Sequence, residues 1–184
     1  MTKLKFLLIF LLFTTSYLQA QWEIQLDNEN FTHLDRIFFL DQNNGWAIGG
    51  GTLDGGAGPY FYTTNGGEQW YLDDDWMNIV GSDIVFVNID TGFIAVPNGI
   101  IRKTTDGGQN WTDIQTPATQ NVIHLFFVDE NNGWATLAYP SNKILHTTDN
   151  GNNWELQEYV TFQNSGIESM FFINNSTGWG GGIQ

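Results

Sequence analysis

The chain has 184 residues, with 20 acidic side chains against 6 basic ones and a formal net charge of −14. This length suits one ordinary domain, and the charge repels nucleic acid and anionic membrane surfaces. The absence of cysteine excludes a disulfide framework, a thiolate metal site and a lipid-modified cysteine.

Residues 1–20 read as a secretory signal peptide. Lys3 and Lys5 form a positive start, Phe6 to Phe13 an apolar run of eight residues, and a polar stretch ends at Ala20. The apolar run is too short to span a bilayer. The expected location is therefore secreted, periplasmic or cell surface. Processing leaves four basic residues, Arg36, Arg102, Lys103 and Lys143, against 20 acidic ones.

Two repeated blocks interleave along the rest. The first begins with an apolar run and ends nine residues later on an aromatic. Its copies are Ile37 to Trp46, Ile84 to Phe93, Leu125 to Trp134 and Met170 to Trp179. The run is too short for a helix and predicts a strand buried on both faces. Asn44-Gly45 and Asn132-Gly133 predict two-residue hairpin turns.

The second block has the pattern Thr-x-Asp/Asn-x-Gly-x-x-Trp. Its copies are Thr63, Asn65, Gly67 and Trp70; Thr104, Asp106, Gly108 and Trp111; and Thr147, Asp149, Gly151 and Trp154. The Asp or Asn side chain is expected to accept from backbone N–H groups two residues on. The Thr hydroxyl ties down the other limb, and Gly supplies a positive φ. The Trp re-enters the sheet as an apolar anchor. Such a turn satisfies itself and needs no substrate.

Together the blocks predict a four-stranded antiparallel unit, with strands A to D, repeating every 41–47 residues. That is the pattern of a β-propeller blade. A lone strand D is expected over 22–27, because Trp22-Glu23-Ile24-Gln25 matches Trp154-Glu155-Leu156-Gln157. Blades are expected over 33–76, 77–118 and 119–162, with a partial blade over 163–184. The propeller, all-β and spanning 21–184, thus has about three and a half blades. It is expected to be an open arc whose remaining repeats are encoded downstream.

The second block resembles the Asp-box, or bacterial neuraminidase repeat. Combined with the Phe-Phe strand and the Asn-Gly-Trp turn, it is similar to the photosystem II stability/assembly factor-like repeat. The resemblance covers nearly all of 22–184. It implies a propeller of about seven blades that acts as a binding or assembly scaffold without catalysis. The four remaining basic residues do not make the basic patch that the photosynthetic members imply. A sialidase needs an arginine triad, and the chain has only Arg36 and Arg102. The alternative reading is another carbohydrate-active enzyme, a glycoside hydrolase of Asp-box propeller type, with catalytic residues partly outside this chain.

Other chemistry finds no support. The glycine-rich stretch 49–59 lacks the Gly-Lys-Ser/Thr of a phosphate loop and reads as an insertion in the B–C loop of the first blade. His33, His124 and His146 show no metal-ligand spacing, and neither a metal nor a cofactor is expected. Calcium-loop likenesses at Asp41 and Asp129 lack the terminal Glu. The candidate ligand-binding residues are Asp73, Asp74, Asp75 and Trp76 on a D–A loop, with Tyr139 on a B–C loop of the same rim. The expected partner is a protein or a glycan.

Overall fold

The computed structural model describes residues 33–49, 58–73, 80–159 and 166–183. The predicted signal peptide, the strand over 22–27 and most of the 49–59 insertion lie outside the described residues.

Three antiparallel four-stranded sheets follow one another. The first holds β1 (Leu34–Phe39), β2 (Gly45–Gly49), β3 (Tyr60–Thr63) and β4 (Tyr71–Leu72). The second holds β5 (Asp83–Phe86), β6 (Gly92–Val96), β7 (Ile100–Thr104) and β8 (Thr112–Gln115). The third holds β9 (Val122–Phe127), β10 (Gly133–Leu137), β11 (Lys143–Thr147) and β12 (Glu155–Glu158). A hairpin of β13 (Gly166–Asn174) and β14 (Thr177–Ile183) comes last. Each sheet is one blade, with its strands in chain order. The first strands line up side by side, β1 against β5, β5 against β9 and β9 against β13. The fold is an incomplete all-β propeller, as the repeats predict.

The core lies between blades rather than within them. One cluster joins Trp46, Ile48 and Tyr60 of the first blade to Ile84, Phe86, Ile94 and Val96 of the second. Another joins Phe93, Ala95 and Ile101 of the second to Val122, Leu125, Ala135 and Leu137 of the third. Strand β6 explains the arrangement. Its side chains alternate, so Ile94 and Val96 face one neighbour while Phe93 and Ala95 face the other. Strand B is therefore the one buried on both faces in every full blade, and of the A strands only β5 matches the expectation. All five residues of β2, β6 and β10 are buried, whereas β1 is largely exposed and β9 half-buried.

One aromatic contact recurs at every junction. Trp46 stacks face to face on Phe86 (centroids 3.6 Å apart, rings 7° from parallel). Phe93 stacks on Phe127 at 4.4 Å, and Trp134 on Phe172 at 3.8 Å. In each case strand B of one blade meets strand A of the next. The strand-A ring also meets its own blade's Asp-box Trp in a T-shaped contact: Phe39 with Trp70 at 5.9 Å, Phe86 with Trp111 at 6.1 Å, Phe127 with Trp154 at 5.9 Å. The edge-to-face pairs are an arrangement that the ring quadrupole favours, whereas the face-to-face stacks are held by the apolar area they bury.

The A–B turns differ from expectation. They are not two-residue Asn-Gly turns. Asp41 Oδ1 accepts from the N–H groups of Asn43 and Asn44, and Asp129 Oδ1 from those of Asn131 and Asn132. Asn88 does the same for Asp90 and Thr91. The Leu40 N–H closes the first loop on the Asn44 carbonyl. The glycine has another purpose. A Cβ on Gly45, Gly92, Gly133 or Gly178 would fall 2.4–2.7 Å from the ring of Phe39, Phe86, Phe127 or Phe172. Glycine is the floor on which the stacked ring lies.

The Asp-box turns form as a self-satisfied unit, with one change of reach. The Thr104 hydroxyl donates to Asp106 Oδ1 (2.8 Å) and accepts from Gly108 N–H (2.9 Å). Asp106 Oδ1 accepts from Asn110 N–H, four residues on rather than two. The copies at Thr63/Asn65 and Thr147/Asp149 repeat these bonds. Gly67, Gly108 and Gly151 have φ of 89°, 96° and 67°. Each Asp-box turn also donates a backbone N–H to its own blade's A–B turn, from Gly66 to Asn43, Gly107 to Asp90 and Asn150 to Asn131. The two kinds of turn therefore share one end of the blade.

Candidate binding site

The inner strands carry an unexpected column of polar residues. Counting back three from the stacked Phe gives Arg36, Asp83, His124 and Ser169 on the first strands of successive blades. Their rigid strands bring the first three together. Asp83 is buried, 6% exposed. Its Oδ2 accepts from His124 Nδ1 at 2.7 Å and from the Leu125 N–H at 2.8 Å, and its Oδ1 lies 3.5 Å from Arg36 Nε. A backbone hydrogen bond to Met170 extends the His124 contacts to β13. The bond to Asp83 raises the His124 pKa above its ordinary value, against the opposing effect of burial. One carboxylate thus links three blades.

Beside this linkage runs a groove of about 570 Å³ along the inner strands. Ile37, Phe38, Val85 and Phe126 give it apolar walls, with Asp83 and His124 towards one end and Asp129 and Glu130 towards the other. Ile37 is 62% exposed. A second cleft, of about 680 Å³, opens between the first and second blades at their Asp-box end, and Asp73 lines it with Asp90 and Asp106. Asn110 side-chain and backbone bonds hold the Asp106 pKa below its ordinary value.

The predicted site residues fare differently. Asp73 lines the cleft just described. Asp74, Asp75 and Trp76 lie outside the described residues. Tyr139 is half exposed and packs beside Gly166 of the last hairpin. Asp73 and Tyr139 thus face different blade junctions. The His124–Asp83–Arg36 linkage was not foreseen. Its signal was available, because aligning the repeats on the stacked Phe puts a base, an acid and a base in one column. His146 is a structural histidine, stacked under Trp134 at 4.7 Å, with its pKa lowered mainly by burial.

Antiparallel blades in sequence, ring-on-ring junctions and three Asp-box turns define a β-propeller of the bacterial neuraminidase repeat type. Residues 74–159 match the family model described as Photosynthesis system II assembly factor YCF48. The chain is a propeller of this repeat type related to that photosystem II assembly factor. Among solved structures it is similar to a YCF48 bound to D1 peptide, with a TM-score of 0.58 and 23% identity over 75% of this chain and 43% of that one. It is also similar to YCF48 from Cyanidioschyzon merolae, with a TM-score of 0.64 and 14% identity over 83% of this chain and 49% of that one. The chain spans less than half the length of both. No curated protein matches it.

Proposed function

We propose that this chain is a non-catalytic binding scaffold that holds an extended segment of a partner protein against the inner strands of its blades. The observation that carries this reading is the groove along β1, β5 and β9, with its apolar walls and charged ends. Alternate side chains of an extended segment fit such walls, and polar groups at the ends fix register. A solved propeller of the same fold is bound to a D1 peptide, which supports a peptide as the class of ligand. Residues 1–20 support export, which puts the scaffold outside the cytoplasm. The Asp-box carboxylates are committed to their own turns, which favours binding over acid–base chemistry at that end.

The test is selection of a phage-displayed peptide library on the full chain. Selected peptides should share an apolar pattern, and an Ile37→Glu variant with unchanged melting temperature should lose them. Selection without enrichment, or enrichment that survives Ile37→Glu, overturns the reading.

A further inference from the structure

The junctions between blades one and two and between blades two and three are built alike but filled differently. At the second of these, Lys103 crosses from β7 to the next blade's Asp-box turn. Its Nζ donates to the Asn150 carbonyl (2.6 Å) and to Asn152 Oδ1 (2.9 Å). The ammonium also lies 5.7 Å from the centre of the Phe93 ring. The cation therefore closes the gap with two charge-assisted hydrogen bonds and a cation–π contact. Burial lowers the Lys103 pKa, and the Asp149 charge works against that shift.

Repeat register carries this arrangement one blade back. Thr63 and Thr104 open their Asp-boxes, so Tyr62 stands where Lys103 stands. By the same alignment Trp46 stands for Phe93, Gly107 for Asn150 and Gln109 for Asn152. Tyr62 cannot do what Lys103 does. Its phenol is not a cation, and its ring is stacked on Tyr71 at 5.3 Å. The gap is the open cleft of about 680 Å³. Trp46 and Ile89 provide apolar wall, and the carboxylate residues Asp73, Asp90 and Asp106 join Gly107 and Gln109 around it. The acceptors that a lysine satisfies at the next junction recur here with added negative charge.

We propose that the cleft between the first and second blades is a binding site for the ammonium of a lysine side chain presented by a partner, seated where Lys103 sits one junction later. The alkyl stem lies along Trp46 and Ile89, and the ammonium meets the carboxylates and the Gly107 carbonyl. A lysine fits better than an arginine, because the internal occupant is a compact three-donor head on a flexible stem. This site is separate from the inner groove and does not rest on the reading given for it.

The probe is Nα-acetyl-lysine amide, titrated into the full chain and followed by the Trp46 indole resonance. Nα-acetyl-norleucine amide is the uncharged control. The lysine compound should bind at least about tenfold more tightly, the scale of one charge-assisted contact. Tyr62→Lys should abolish binding by filling the cleft from within. Asp90→Asn, an exposed substitution that leaves the fold alone, should weaken it several-fold. Lys103→Ala should open a second equivalent site and raise the stoichiometry from one to two. Equal binding of the norleucine compound, or binding unchanged in folded Tyr62→Lys and Asp90→Asn, overturns the proposal. Failure of the peptide selection would leave these titrations unaffected, so the two readings fall separately.

Discussion

Phe86 is the side chain through which the first two blades are joined, and its removal gives the sharpest test of the packing. Its ring is 2% exposed. One face lies on Trp46 at 3.6 Å, Trp111 makes a T-shaped contact at 6.1 Å, and Gly92 gives way beneath it. Phe86→Ala removes buried ring area and leaves a cavity that strands on both sides hold open, a loss of about 3–5 kcal/mol. The T-shaped pair accounts for about 0.5–1.5 kcal/mol beyond area burial. Phe171 is the internal control. It precedes the stacked Phe172 as Val85 precedes Phe86, but it is 58% exposed, and Phe171→Ala should cost less than about 1 kcal/mol. Urea midpoints at unchanged m give the comparison. Because repeat arrays can open locally, amide exchange gives the location: Phe86→Ala should lower protection in β2 and β5 together. A Trp46→Leu/Phe86→Leu double-mutant cycle should show a coupling of about 1 kcal/mol. Equal costs for Phe86 and Phe171, or lost protection confined to the second blade, would refute the view that the core is built between blades.

Two further outcomes are expected. Asp106→Asn should cost less than about 1 kcal/mol, since Asn65 Oδ1 makes the same bonds to the Thr hydroxyl and the turn N–H at the equivalent place and only the Oδ2 bond from Asn110 Nδ2 is lost. Asp106→Ala should cost about 1–3 kcal/mol by leaving turn N–H groups unpaired. Equal effects in thermal melts would sink the account of the turn. The His124 linkage should weaken with alkali. Its folded pKa is raised, so its stabilisation is fully present below the ordinary value of 6.5 and is lost as pH rises through the folded value. Between about pH 6 and about pH 9 the wild type should lose more stability than His124→Gln; parallel curves, or a His124 NMR midpoint below 6.5, would contradict this.

Blade architecture was legible because it follows from local chemistry. Thr104, Asp106, Gly108 and Trp111 close a turn with bonds reaching no further than four residues, so their order alone specifies it. The spacing from Ile37 to Trp46 likewise located a hairpin. Burial was misread because it depends on neighbours. Periodicity cannot reveal that β6 serves two blades while β1 is largely exposed. The Asn-Gly pairs misled for a similar reason. Gly133 is required by the ring of Phe127 lying on it, a tertiary contact, rather than by the turn. The inner linkage was missed because Asp83 and His124 are 41 positions apart, and only stacked blades make them partners. Asp73 could be placed near a junction by the repeat pattern, but the cleft it lines depends on what Tyr62 fails to fill.

The ring-on-ring contact has a consequence for how such a chain can change over generations. Trp46, Phe93 and Trp134 each offer a flat face in the same place, and Phe86, Phe127 and Phe172 each receive one. The joint is a standard fitting, indifferent to which unit stands on either side. Duplicating or deleting one whole unit of the gene leaves every remaining joint of the same kind. Size can therefore drift by steps of one blade without the invention of a new interface. Individuality is left to positions such as 62 and 103, where neighbouring units differ.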